Sequence, residues 1–147
     1  MKTFPAEFLN IDLDIKSNFD PAAIVKAWKN RVFPMHIDKQ GRQYWLRLSL
    51  ALQPKSPTDA ITRFAKLVRD LPSRERRLWA EASLKEFDIG IQAGFERGSG
   101  EWVLEPKVIR MIADLGARIR VTVYSPLLII HENAARTRAR SRATRKR

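Results

Sequence analysis

The sequence predicts an α+β fold, with a mixed, mainly antiparallel sheet and helices packed on one of its faces. Some segments alternate apolar and polar residues with the period of two that marks a half-buried strand, and others repeat apolar residues at helical spacing. Capping residues, prolines and glycines separate these segments. Their order, β-α-β-β-α-α-β-β-α-β, contains both hairpins and crossovers and hints at two related halves.

The first predicted strand covers residues 7–15. Its apolar positions are Leu9, Ile11, Leu13 and Ile15, and the polar residues between them are Asn10, Asp12 and Asp14. The apolar set therefore faces the core. Asp20-Pro21 then predicts a helix start, with Asp20 as N-cap and Pro21 at the first helical position. Trp28 lies on the apolar face of that helix.

A hairpin is predicted next, followed by two helices. A weaker strand at residues 31–37 and an alternating strand at 44–52 flank the turn Asp38-Lys39-Gln40-Gly41. Ser56 caps the next helix, and Pro72 ends it. A further helix at residues 74–85 turns Trp79 inward.

The last predicted elements are a second hairpin, a helix and a final strand. Strands at residues 87–93 and 101–104 flank a loop that contains Gly94, Gly98 and Gly100. Glu105-Pro106 begins an amphipathic helix, Gly116 is placed as a left-handed C-cap residue, and residues 117–124 alternate again.

Composition and charge predict one globular domain and a tail. The chain has 147 residues, enough for one real core, and no cysteine, which excludes disulfides and thiolate sites. We expect one domain at residues 1–130, a disordered basic tail at 131–147, and a cytoplasmic protein with no signal peptide and no membrane association. The net charge is +12, but residues 136–147 hold seven of the 28 Lys and Arg residues and no acid. The rest has 21 basic and 16 acidic residues, a balance of only +5.

The tail is the strongest compositional signal for a nucleic-acid partner, because clustered cations attract polyanions. A solubility appendage is an equally good interpretation. The tail cations are Arg136, Arg138, Arg140, Arg142, Arg145, Lys146 and Arg147.

No catalytic or cofactor motif is found. Asp12 and Asp14, with Asp20 and His36, are the residue types of a divalent-metal site, but a polar outward strand face explains the pair better. His131 and Glu132 begin a zinc-protease pattern in which Ala135 replaces the second histidine. The glycine-rich loop precedes a predicted strand, whereas a phosphate loop precedes a helix. We therefore predict no enzyme, no cofactor and no metal.

A second candidate surface is one face of the sheet. Alternation places several basic and aromatic side chains away from the main apolar face, where they suit a protein or RNA partner unless a helix or residues 126–130 cover them. These residues are Trp45, Arg47, Trp102, Arg118, Arg120 and Tyr124.

Several motifs together resemble a family. They are residues 8–15, Asp20-Pro21, residues 86–90, and Leu115-Gly116-Ala117 leading to residues 121–124. This combination resembles uncharacterised bacterial small α+β domains related to immunity proteins, over about residues 6–125. The resemblance implies the fold and a protein-binding role of immunity type, and it carries over no catalytic residue. We therefore predict a non-enzymatic, protein-binding domain, with nucleic-acid binding through the tail and the basic aromatic sheet face as the alternative.

Overall fold

The computed structural model describes residues 5–95 and 100–126. The five strands in these residues are β1 (Glu7–Ser17), β2 (Val32–Gln40), β3 (Gln43–Leu50), β4 (Leu84–Gln92) and β5 (Arg118–Tyr124). The four α-helices are α1 (Ala22–Trp28), α2 (Pro57–Arg69), α3 (Ser73–Glu81) and α4 (Pro106–Asp114), and a 3-10 turn, Lys29–Arg31, follows α1. The predicted tail at 131–147 lies outside the described residues.

The strands form one mixed sheet in the order β2-β3-β1-β4-β5. Every neighbouring pair is antiparallel except β4 and β5, which are parallel and connected through α4. The helices pack against one face of the sheet and form a single core with it, in which Ile11, Leu13 and Leu48 are fully buried. The predicted α+β fold, with helices on one face of a mostly antiparallel sheet, is confirmed.

The predicted strand at residues 101–104 is wrong, and with it the second hairpin. These residues form no strand, and Trp102 and Val103 are both exposed. The reason lies in the sheet order: β4 has β1 on one side and β5 on the other, so neither of its edges is open to residues 101–104.

The alternation in β1 holds from Ile11 onward but breaks at Leu9. A register shift between Phe8 and Asn10 inserts Leu9 as an extra residue opposite β4. Such a bulge reverses the facing of everything before it. Phe8 therefore packs against the core, and the prediction that Leu9 belongs to the core row is wrong.

Two tryptophans link the helices. Trp28 and Trp79 are buried and meet edge to face, with ring centroids 6.2 Å apart. The Trp28 indole N–H donates to the Leu67 carbonyl at 3.0 Å, and that of Trp79 donates to the Leu115 carbonyl at 3.1 Å. The Leu67 carbonyl lies in the last turn of α2, and the Leu115 carbonyl lies just after α4. Carbonyl groups at these positions lack partners within the helix.

Three of the predicted cap residues lie at the expected helix ends. The Ser56 hydroxyl accepts from the Asp59 amide at 3.1 Å, and Pro57 opens α2. Gly116 has φ +64° and ends α4. The Asp20 carboxylate accepts from the Ala22 amide at 2.9 Å, although α1 itself begins one residue later than predicted.

Candidate functional site

The sheet face opposite the core is covered by no helix of the described chain and is called the open face. The strand registers align its side chains in rows across β3, β1, β4 and β5. One row contains Arg47, Asp14, Glu86 and Arg118, and the next contains Ser49, Asp12, Asp88 and Arg120. Arg47 of β3 and Arg118 and Arg120 of β5 thus flank the acidic side chains of β1 and β4.

Asp14 is the centre of an ion-pair network on the open face. Only 2% of Asp14 is exposed, because Arg47 and Arg120 lie over it. The Arg47 Nε and Nη2 groups donate to its two oxygens at 2.8 and 2.7 Å, and Arg120 Nη2 donates at 2.8 Å. The hydrogen bond to Asp14 is the main reason that the pKa of Arg47 is raised above its ordinary value.

Glu86 and Asp88 extend the network toward β5. Arg120 Nη2 lies 3.1 Å from oxygens of both carboxylates, and Arg118 Nε donates to Glu86. Thr122 donates its hydroxyl to Asp88 at 2.6 Å. Glu86 and Asp88 are almost fully buried, so their negative charges offset the arginines that the sequence placed on this face.

Asp12 differs from the other carboxylates of the open face. Within residues 5–95 and 100–126, no nitrogen of a Lys, Arg or His side chain lies within 4.0 Å of its carboxylate oxygens. Burial raises its pKa above the ordinary value, more distant Arg47 lowers it, and Asp88 and Asp14 raise it further. Asp12 is therefore a charge that the network does not compensate by contact.

A hollow of about 220 Å³ lies next to Asp12 on the open face. Its walls include Leu9 and Met35, which are the extra residues of two β-bulges, one in β1 and one in β2. Gly90 lacks a side chain at its floor, and Tyr124 closes the side toward β5. Bulges redirect side chains out of the strand alternation, and here both point toward the same hollow.

The predicted interaction residues are divided by the structure. Trp45, Arg47, Arg118, Arg120 and Tyr124 lie on strands that share the open face. Trp102 is not on a strand, and its ring lies against Gly100. The structure therefore brings five of the six residues onto one face and leaves out Trp102.

Trp45 is enclosed by other side chains and is not a free stacking platform. The Lys16 ammonium and the Arg47 guanidinium lie 5.5 and 6.0 Å from its ring centroid, and His36 meets it edge to face at 5.4 Å. Its indole nitrogen is buried and has no hydrogen-bond partner among the described residues. A nucleic-acid base would have to displace at least one of these neighbours.

The two edges of the sheet differ in regularity. At one edge, β2 contains Pro34 and a bulge at Met35, two features that interrupt strand pairing. At the other edge, β5 pairs with β4 over all seven of its residues without a shift in register. Among the described residues nothing pairs with its outer side.

β5 also exposes apolar side chains on the core side of the sheet. Val121 is 58% exposed, and Ile119 and Val123 are exposed beside it. Ile109, on the adjoining helix α4, is exposed as well. An exposed, regular, β-branched edge strand is a template for pairing with another chain.

Sequence reasoning missed Glu86 and Asp88 as members of the candidate site. A signal for them was present, because these acids alternate with Phe87 and Ile89 and must face away from the core. The sequence prediction treated Asp14 only as part of a polar outward face, whereas neighbouring arginines bury this carboxylate.

The remaining sequence predictions concern a metal site, a membrane-spanning segment and the basic tail. In residues 5–95 and 100–126, no three His, Asp or Glu side chains are grouped so that they could hold a metal ion. None of the helices described is long and apolar enough to cross a membrane. The tail cations at residues 136–147, and His131 with Glu132, lie outside the described residues.

Comparison of the chain with protein-family models, curated proteins and solved structures found no match. The resemblance to immunity-protein-like domains therefore stays a prediction.

Proposed function

We propose that this chain is a non-enzymatic protein-interaction domain that binds an extended segment of another protein along β5. The partner segment adds a sixth strand to the open edge, so that its backbone bonds the outer side of β5. The contrast between the two edges carries the proposal: β2 is interrupted by Pro34 and a bulge, whereas β5 is regular and exposed.

The side chains of β5 define the chemistry of the partner segment. On the core side, Val121 and its neighbours offer an apolar row that alternate partner residues would cover. On the open face, 66% of the Arg118 side chain is exposed, and its Nε donates to Glu86. A segment that alternates apolar and acidic residues complements both sides, with an acid opposite Arg118.

The buried carboxylates support the proposal by fixing the arginines before a partner arrives. Arg120 contacts Asp14, Glu86 and Asp88 at 2.8 to 3.1 Å, so its side chain is already ordered. A partner that contacts such a side chain loses less conformational entropy than one that must order a free arginine.

The experiment compares two edge substitutions of similar exposure. Val121→Lys adds a charge to the apolar side of β5, and Ile37→Lys adds one to β2, where Ile37 is 54% exposed. Proteins captured from native cell extract by the wild-type chain are identified and measured again with each variant. We expect a specific partner to be lost at least tenfold with Val121→Lys and kept with Ile37→Lys.

Two results would contradict the proposal. One is a wild-type chain that captures no specific partner. The other is a partner that Val121→Lys retains, or that both variants lose equally. Circular dichroism melting of both variants checks that each remains folded.

The resemblance gives this proposal a more specific form, in which the partner is a toxin encoded beside the chain's own gene. Co-expression with the neighbouring gene product tests this form. Protection of cells from growth arrest by the wild-type chain, but not by Val121→Lys, would support it. A neighbouring product that is harmless or does not bind would remove the immunity role and leave the binding proposal in place.

A second candidate function is nucleic-acid binding through the tail, which the seven cations of residues 136–147 favour. The open face adds little to it, because Asp14, Glu86 and Asp88 offset its arginines. Labelled RNA and DNA are titrated at two salt concentrations with the full chain and with a chain lacking residues 136–147. Loss of affinity and of salt dependence on deletion supports this function, and unchanged binding removes it.

A further inference from the structure

A cavity of about 440 Å³ lies away from the open face, at the end of the sheet where β3 leaves for α2. Its apolar lining consists of Leu50, Ala51, Leu52 and Leu67. Leu50 and Leu67 are buried members of the core and form the floor, whereas Leu52 is 77% exposed at the mouth. The volume falls within the range of about 300–1,000 Å³ that is usual for small-molecule sites.

The rim of this cavity is basic. Arg31, Arg63 and Lys66 line it, and no acidic side chain of residues 5–95 and 100–126 does. Arg63 is paired with Asp59 at 2.8 Å, and Lys66 is paired with Asp70 at 2.6 Å.

Arg31 is the cation of the rim that has no counter-ion in contact. Its Nε donates to the Trp28 carbonyl at 3.3 Å, and no carboxylate of the described residues lies within 4.0 Å of its guanidinium. Arg31 is exposed, so its Nη groups remain open to a ligand at the mouth. Because Arg63 and Lys66 are each paired with an aspartate, the three rim cations and these two acids have a net charge of +1.

Leu52 gives the mouth an exposed apolar side chain and a hydrogen-bonded backbone. Its carbonyl accepts from Arg63 Nη1 at 2.9 Å, which anchors the loop to α2. Its side chain is the most exposed of the large apolar side chains in the described part of the chain. A ligand with an apolar body would take both the floor and Leu52 out of water.

We propose that this cavity binds a small amphipathic anion, a carboxylate on a medium-length apolar chain. The chain lies on Leu50 and Leu67 beneath Leu52, and the carboxylate meets Arg31 at the rim. The apolar part supplies affinity in proportion to its length, and the guanidinium selects the anion over an uncharged molecule of the same shape. This site is separate from β5 and does not depend on the proposed function.

Binding is measured with the full chain by calorimetry and by amide chemical shifts, using hexanoate, octanoate and decanoate below their micelle concentrations. We expect saturable binding, with affinity rising about threefold to fourfold per added methylene. Octan-1-ol has the same chain length without the charge, and we expect it to bind at least fivefold more weakly than octanoate. Acetate and inorganic phosphate carry the charge without the apolar body and should not saturate.

Two substitutions separate the site from general surface charge. Arg31→Gln removes the unpaired rim cation and should weaken octanoate about fivefold to tenfold while leaving octan-1-ol unchanged. Arg69→Gln is the matched control, because Arg69 is exposed on α2 but does not line the cavity. It should leave both ligands unchanged.

Shifts confined to the amides of Ala51, Leu52 and their neighbours would place the ligand in the cavity. The proposal is overturned if octanoate does not saturate, if octan-1-ol binds equally well, or if Arg31→Gln and Arg69→Gln have the same effect. Thermal melting of each variant confirms that it is folded, so a lost site is distinguished from a lost fold.

Discussion

Arg47 of β3 and Asp14 of β1 face each other directly, and their side chains form a bidentate ion pair with N–O distances of 2.8 and 2.7 Å. The carboxylate is buried beneath the guanidinium groups of Arg47 and Arg120. A buried carboxylate of this kind is tolerated only while its partners remain. The pair is therefore the point at which the open face is most sensitive to substitution.

We expect Asp14→Ala to lower the free energy of unfolding by about 2–4 kcal/mol. The substitution removes the carboxylate that Arg47 and Arg120 both contact most closely, and breaking a buried pair in this way typically costs about 3–5 kcal/mol. The figure is reduced because both arginines partly reach water. Urea unfolding at pH 7 measures the change.

Arg118→Ala is the control for this substitution. Arg118 also bonds a carboxylate of the network, but it is mostly exposed, so we expect a loss of less than about 1 kcal/mol. Equal losses for the two variants would show that burial of Asp14 does not set the sensitivity of the open face.

We expect Asp12→Asn to stabilise the protein at pH 7. Burial raises the pKa of Asp12 in the folded state, and the nearby Asp88 and Asp14 carboxylates raise it further. The folded protein therefore binds more protons than the unfolded chain at pH values between the two pKa values. Stability falls as pH rises through the folded-state pKa, and the asparagine removes this penalty.

The pH dependence of the Asp12→Asn effect provides the check. The increase in the free energy of unfolding should be full above the folded-state pKa of Asp12. It should disappear below the ordinary Asp pKa of about 3.8, where Asp12 is protonated in both the folded and the unfolded state. Unfolding free energies of both proteins are compared from pH 3 to pH 7. A gain that is independent of pH would mean that packing, and not titration of Asp12, is responsible.

We expect Trp28→Phe to destabilise the protein by about 2–3 kcal/mol. The buried Leu67 carbonyl would lose its indole donor, and an unpaired buried carbonyl costs about 1–3 kcal/mol. The edge-to-face contact with Trp79 would also be weakened. Trp102→Phe, at an exposed position, should change stability by less than about 0.5 kcal/mol in the same melting experiment.

We expect Ser56→Ala to lower stability by about 1 kcal/mol through loss of the N-cap of α2. Ser73 begins α3 without a side-chain capping bond at that end, so Ser73→Ala should have little effect. Denaturant titration of the two variants compares them directly. A comparable loss for both would show that the cost arises from serine itself and not from capping.

The sequence predicted the parts of the fold that depend on local chemistry. Ser56 and Gly116 act where they were expected, because a cap needs only a residue type and a helix end. The alternating strands around Ile11 and Leu48 were predicted for a similar reason, since a period of two assigns a face without knowledge of the partner strand.

The errors occur where a second segment decides the outcome. Leu9 belongs to an unbroken alternation in the sequence, and only the pairing of β1 with β4 introduces the bulge that moves it out of the core. Trp102 lies in a segment with strand character, but β4 already has a neighbour on each side. In both cases local preference was overridden by pairing elsewhere in the sheet.

Away from the bulges, the sequence by itself determined which side chains of a strand or helix face the core, because alternation and helical spacing are properties of a single segment. The tertiary structure alone decided what the outward side chains do. It placed Asp14 beneath Arg47 and Arg120, which come from strands 33 and 106 residues further along the chain, and so converted an apparently basic face into an ion-pair network. The sign of each charge can be read from the sequence. Whether that charge is compensated depends on strand order and register, which no single segment determines.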